Sequence, residues 1–424
     1  MPRPAEPPTA TAPTPVTNLI PAAMNRPGND PIFALNAEAQ RRAAAGEPVI
    51  NATLGALMND DGTLAVLPSV VEALARVPAR KAAAYAPIAG EQGFLRAVIQ
   101  DVFADRVLAE QTVAAATPGG TGALYEAITN FLEPGQALLT TDYYWGPYHT
   151  LATQAGRRIE TFPMFAGAGF DLASLEAAVH RQIQQQGRVL LFLNTPCHNP
   201  TGYSLDDREW DAIAGIVQRA GERAPVTVLV DLAYARFAAN PCDWTQHAGR
   251  MLSSATVLVA WSGSKSFAQY GARIGAVLAT HRDADERARL ANAFSFGCRG
   301  TWSNCYHAGQ VAIAELLTDP VHRTRTDAER HGLIRLLDER VAVWNREAGR
   351  AGLAYPRYEG GFFVAVFSAE PEAAAARLRD EGVFVVPIGG PNGGALRVAL
   401  CSTPARDVPR MVAAMARAVR KQGS

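Results

Sequence analysis

The chain has 424 residues, too many for one compact core, and its 48% hydrophobic and 19% charged content is that of a soluble globular protein. Lys plus Arg and Asp plus Glu both total 40, which argues against a protein defined by binding nucleic acid or an anionic membrane. The cysteines, Cys197, Cys242, Cys298, Cys305 and Cys401, are odd in number and lack metal-ligand spacing. They fit a reduced, cytoplasmic protein with no metal site, and no apolar run is long enough to span a membrane.

In chain order, residues 1–29 begin "MPRPAEPPTATAPTPVT", rich in Pro, Thr and Ala, with no signal-peptide core and too little Arg for a transit peptide. They are expected to form a disordered tail. "SVVEALARV" and "GFLRAVIQDVFADRVL" carry apolar residues at helical spacing. "QALLTT", "RVLLFLNTP", "PVTVLVDLAY" and "ATVLVAWS" are short apolar runs ending in polar or small residues, separated by helical stretches such as "SLDDREWDAIAGIVQRAGER". Such alternation predicts an α/β fold with a mostly parallel sheet covered on both faces. After Asn304 the pattern changes. "HAGQVAIAELLTD" and residues 321–351 read as helices, and "GFFVAVFSA", "VFVVPIG" and "ALRVALCS" read as strands. The expected layout is a large domain over 61–309 and a smaller α+β domain built from 30–60 and 310–424.

Ligands of open parallel sheets gather beyond the carboxyl ends of the strands. Asn199 follows one predicted strand, and Asp231 and Tyr234 close another. Ser262, Ser264 and Lys265 follow a third, with Arg273 shortly after. Upstream, "ATPGGTGALYEAI" places a glycine-rich turn before a helix, where backbone N–H groups can hold a phosphate. Each feature alone is common. Their joint order is not.

With these motifs in hand, the chain resembles the class I, aspartate/aromatic-type branch of the pyridoxal-phosphate (PLP) aminotransferases, fold type I. The resemblance rests on "TPGGTGAL", "CHNPTG", "DLAY", "SGSKSFAQYGARIG", "RGTWSN" and "LRVAL" and spans about Asp30 to Val412. It implies that Lys265 forms a Schiff base with the PLP aldehyde. It also implies that Arg273, Ser262, Ser264 and the amides of Gly120 and Thr121 hold the phosphate, and that Asp231 pairs with the pyridine nitrogen. Tyr234 and Asn199 would bond the phenolic oxygen, and Trp145 would lie against the ring. Tyr85 would reach the phosphate of a partner subunit, which implies a homodimer with shared sites. Arg397 would grip the substrate α-carboxylate and Arg299 a distal carboxylate across the dimer. Gly55, Phe363 and Asn199 would line the substrate pocket. Two positions depart from the family pattern. Tyr148 stands where the family often has a histidine that supports the aspartate, and offers a phenol hydrogen bond instead, with His198 a further candidate partner. "TWSNCY" replaces the Tyr-Ser-Asn-Pro-Pro run after Arg299.

The resemblance implies a ping-pong transfer of an amino group between an acidic or aromatic L-amino acid and a 2-oxo acid. Two other readings compete: a PLP-dependent lyase or decarboxylase of the same fold, and a non-catalytic binding protein that kept it. Intact Lys265, Asp231 and Arg273 argue against the latter.

Overall fold

Two of the apolar runs, Val189–Asn194 and Val226–Asp231, are buried at every position, the pattern of strands covered on both faces. They form the middle of a seven-stranded sheet. In this computed structural model the described residues are 17–28, 30–238, 244–390 and 393–420. The strands are β1 (Ile50–Asn51), β2 (Thr112–Pro118), β3 (Ala137–Thr141), β4 (Arg158–Phe162), β5 (Phe165–Ala166), β6 (Gly169–Phe170), β7 (Val189–Asn194), β8 (Val226–Asp231), β9 (Thr256–Ser262), β10 (Ile274–Thr280), β11 (Phe363–Ser368), β12 (Val383–Phe384), β13 (Val386–Gly390) and β14 (Gly393–Ala399).

The large sheet has the order β2-β10-β9-β8-β7-β3-β4. Its pairings are parallel except those of β10, which runs antiparallel to both β2 and β9. Side chains of successive residues go to opposite faces. Leu191, Val228, Val257 and Leu278 enter one apolar cluster, while Leu190, Leu229, Leu258 and Val277 enter the other. Burying each such side chain contributes about 1.5–3 kcal/mol, so both sheet faces are fixed by the alternation. From β3 the chain steps outward to β4, then returns at β7 and proceeds the other way through β8 and β9. This reversal opens a crevice at the carboxyl ends, where ligands of such sheets bind.

The second unit is smaller. The antiparallel sheet β11-β14-β13 carries one face of its core, and β1 pairs in parallel with β12. Residues 50–51 are therefore tied to the C-terminal part of the chain. "VFVVPIG" is not one strand: Val383–Phe384 joins β1 and Val386–Gly390 joins β14. The 32-residue helix Pro320–Ala351 is capped by the Asp319 carboxylate, which accepts from Val321 and His322 N–H. Leu337, Val341 and Trp344 on its later turns pack into the small core. The helix His307–Thr318 buries Ala312, Ile313 and Leu316 in the large one.

The predicted helix over "GFLRAVIQDVFADRVL" is broken in two, Gln92–Val102 and Arg106–Glu110. Asp105 accepts from the Val107 and Leu108 amides at 2.7 and 3.0 Å and starts a new helix. Most of the expected N-terminal tail, residues 1–16 and 29, lies outside the described residues; within 17–28 a short exposed helix runs Pro21–Met24. Among the described residues no helix is long and apolar enough to cross a membrane.

Candidate active site

Four strand ends converge on one cavity of about 160 Å³, lined by Gly120, Thr121, Trp145, Asn194, Asn199, Asp231, Tyr234, Ser262, Ser264, Lys265 and Arg273. The helix Gly119–Phe131 starts directly at the end of β2, and no side chain caps its first turn. Its N–H groups and the positive end of its dipole therefore face the cavity. Gly119 has φ +69° and a Cβ there would lie 2.5 Å from Arg273 Nη2, so only glycine lets the arginine reach this turn. Arg273 donates to Ser264 Oγ at 3.4 Å, Tyr270 O at 3.0 Å, Pro118 O at 3.3 Å and Thr121 Oγ1 at 3.4 Å. All four acceptors are neutral. Among the described residues no carboxylate pairs with Arg273, so its charge is free for an anion beside the helix start.

At the other end sits Asp231, buried at the tip of β8. Tyr148 donates to its Oδ2 at 2.8 Å and the Ala233 amide to its Oδ1 at 3.1 Å. Burial pushes the Asp231 pKa up, opposed by the Tyr148 hydrogen bond, the Ala233 amide and the Lys265 charge. Tyr148 is buried and wedged edge-on against Trp145 and Phe192, with ring centroids at 5.8 and 5.4 Å. The phenol thus occupies the supporting position. His198 does not share it: its Nδ1 pairs with Thr201 Oγ1 at 2.8 Å, and burial lowers its pKa to about 3.

Lys265 follows β9 in the short helix Gly263–Ser266, whose start the Ser262 hydroxyl caps by accepting from the Ser264 amide at 3.2 Å. Its amine points into the cavity, so the residue keeps some accessible surface although it lies deep in the fold. Burial lowers its pKa, with Arg273 adding in the same sense and Asp231 opposing. Burial thus dominates at both ends: it disfavours the charged lysine and the charged aspartate alike. Asn199 Nδ2 donates to Tyr234 Oη at 3.3 Å, and burial raises the Tyr234 pKa.

Asn199 also links this cavity to the small unit, because its Oδ1 accepts from Arg397 Nη1 at 3.3 Å. Arg397 is buried, donates through Nη2 to Thr53 O at 2.7 Å, and lies 4.4 Å from the Phe363 ring centroid. Its Nε has no hydrogen-bond partner among the described residues. Burial lowers its pKa. A buried guanidinium with an unused donor is set to receive an anion. Gly55 closes against the same ring: a Cβ there would be 2.5 Å from Phe363 Cζ.

The structure therefore brings together every residue singled out for the cofactor or the substrate except two. Tyr85 is 89% exposed and Arg299 is exposed near the end of the helix Ala284–Thr301, where Nη1 donates to Ser303 Oγ at 3.4 Å. Sequence reasoning also missed Asn194 and Tyr270. Asn194 Oδ1 accepts from the Asn199 amide at 2.7 Å and its Nδ2 donates to Asp231 O at 3.0 Å, so it fixes two site residues at once. Its place at the end of a buried strand was the available signal.

A doubly wound sheet whose carboxyl-end crevice joins an anion cradle, a buried carboxylate and a desolvated amine defines a class of α/β enzymes that work on a phosphorylated ligand. Comparison with known proteins is specific. Residues 47–415 match the family described as aminotransferase class I and II. The aromatic-amino-acid aminotransferase of Escherichia coli (strain K12) is 30% identical over 361 residues, 80% of this chain and 87% of that one. A solved aminotransferase from Anaerococcus prevotii superposes with TM-score 0.88 at 30% identity, over 96% of this chain and all of that one. An aromatic-amino-acid aminotransferase from Burkholderia pseudomallei, solved covalently bound to pyridoxal phosphate, gives TM-score 0.76 at 25% identity, over 94% and 99%. The chain belongs to the class I and II aminotransferase family and is an enzyme of the aminotransferase type.

Proposed function

We propose that the protein is a PLP-dependent aminotransferase that exchanges an amino group between an acidic or aromatic L-amino acid and a 2-oxo acid by a ping-pong mechanism. One observation carries the reading: a single cavity holds the desolvated Lys265 amine, the unpaired Arg273 and the buried Asp231. The donor set fits the cofactor. Arg273, Ser262, Ser264 and the uncapped turn at Gly120 and Thr121 suit its phosphate, Asp231 its protonated ring nitrogen, and Trp145 its ring face. When bound, the cofactor supplies an aldehyde for amine exchange and a ring that takes up the electron pair left at the substrate Cα.

The chain's own groups do the rest. Arg397 binds the α-carboxylate with its unused Nε donor and orients the Cα bond toward Lys265. Lys265, with its pKa lowered by burial, would take a proton from the substrate Cα at Nζ and return it two atoms away, a 1,3 shift. Asp231, whose charged form Tyr148 and the Ala233 amide support against burial, would keep a proton on the ring nitrogen. Tyr234 and Asn199 hold the oxygen-bearing edge of the ring.

The working units are 61–309, which carries the cofactor cradle, and 30–60 with 310–424, which carries Gly55 and Arg397, except that the helix His307–Thr318 lies in the large core and goes with the first unit. The protein acts in the cytoplasm as a homodimer. Large apolar side chains left in solvent support this assembly: Tyr85 and Phe296 are 89% and 83% exposed, and Tyr306 47%. A second copy would bring its Tyr85 and Arg299 to this cavity, the first toward the phosphate and the second toward a distal carboxylate. The test is to load the full chain with PLP, reduce with borohydride and map the modified peptide, then mix unreduced enzyme with single amino acids and follow cofactor absorbance. Fixation on Lys265 and conversion by acidic or aromatic amino acids, without release of ammonia or carbon dioxide, is expected. Fixation elsewhere, or turnover without a 2-oxo acid, would overturn the reading.

A further inference from the structure

Tyr270 stands at the junction of the two units. Its ring packs against the large core and the small core alike. Its carbonyl accepts from Arg273 Nη1 at 3.0 Å. Its phenol oxygen accepts from the Leu57 amide at 2.9 Å. Lys265 Nζ lies 5.6 Å from its ring centroid and 5.6 Å from that of Tyr234, between two aromatic faces. Leu57 ends the short segment in which Thr53 O receives Arg397 and Gly55 rests on Phe363.

We infer that Tyr270 is a positioning residue that bolts this 53–57 segment to the Lys265–Arg273 loop, holding the carboxylate-binding arginine and the proton-carrying amine in one register. The inference rests on the reading of Lys265 and Arg397 above. The two parts of the side chain act separately. The hydroxyl is the acceptor for the Leu57 amide, and phenylalanine leaves that donor without one. The ring favours the protonated amine by cation–π attraction. The groups facing Lys265 are Asp231 from β8, Tyr234 from the turn after it, Arg273 and Tyr270 from the following loop, and Cys401 beyond β14. Burial and Arg273 push the amine toward its neutral form, whereas Asp231 and Cys401 favour the cation, as the two rings do. Removing one ring therefore lowers the Lys265 pKa further.

The chain has three lysines, Lys81, Lys265 and Lys421, so amine labelling against pH, read by peptide mass, isolates Lys265 in the full chain freed of cofactor. Tyr270→Phe is expected to raise the KM for amino acid roughly tenfold, with kcat changed about twofold or less. It should also speed hydrogen exchange at the Leu57 amide and leave the Lys265 midpoint in place. Tyr270→Leu should add a downward shift of that midpoint by roughly 0.4–1.5 pH units, with a fall in kcat. Wild-type KM and exchange in Tyr270→Phe would overturn the inference. So would losses in Tyr270→Leu with the Lys265 midpoint unmoved, which is what a merely structural tyrosine gives. Failure of the underlying reading looks different: borohydride would then fix no cofactor on Lys265 in the wild-type chain.

Discussion

Arg397 and Arg299 are both read as carboxylate-binding arginines, yet they live in opposite surroundings. Arg397 is buried on β14, stacked on Phe363 and bonded to Asn199 and Thr53, and its Nε has no hydrogen-bond partner among the described residues. Arg299 is exposed on the helix Ala284–Thr301 and donates to Ser303 Oγ. The difference teaches where the site ends within one chain. On the proposed reading, one copy supplies most of the cofactor cradle and the α-carboxylate grip, whereas Tyr85 and the group that would read the far end of a substrate face outward.

This contrast can be broken by substitution. Arg397→Leu removes a desolvated charge that every amino acid would use. Breaking such a buried pair costs about 3–5 kcal/mol, so kcat/KM should fall hundreds- to thousands-fold for all substrates alike. A loss confined to dicarboxylates would reverse the roles of the two arginines. Arg299→Leu should lower kcat/KM roughly a hundredfold for dicarboxylic substrates, 2-oxoglutarate included, and much less for aromatic ones. An equal loss for both classes would make it an interface residue, and no loss would leave it on the surface. Smaller still is Tyr148→Phe, which strips one hydrogen bond from Asp231. The Asp231 pKa then rises further, because that bond is the strongest influence opposing burial. A loss of about 1–3 kcal/mol predicts a five- to hundredfold fall in kcat. It should be greatest at low pH, where the carboxylate begins to take up a proton, and a pH-independent loss would mean that Tyr148 only packs.

Much of this was legible in the sequence because the relevant signals are local. Continuous apolar runs marked β3, β7, β8 and β9, and the polar residues at their ends marked Asp231, Asn199 and Lys265. Other strands were hidden. β2 is "TVAAATP", too poor in large apolar residues to stand out, and β10 begins within the last two residues of the motif read for Arg273. β4, "RIETF", has only two apolar residues and lies at the sheet edge. The break at Asp105 needed a capping geometry that a helical pattern masks. The parts of the site that escaped notice depend on contacts between distant segments. Tyr270 meets Leu57 across 213 residues, and Asn194 meets Asp231 across 37. No spacing rule reports such pairs.

Whether the outward residues complete a neighbour's site is tested most directly with two crippled chains. Lys265→Ala should abolish multiple turnover, and Tyr85→Ala should be weakened. Mixed under subunit exchange in equal amounts, half the dimers are hybrids, each with one site that draws Lys265 from one chain and Tyr85 from the other. Activity should then climb above that of both parents to about a quarter of wild type. Activity that stays at the average of the two parents, with exchange verified by mass, would contradict the shared site.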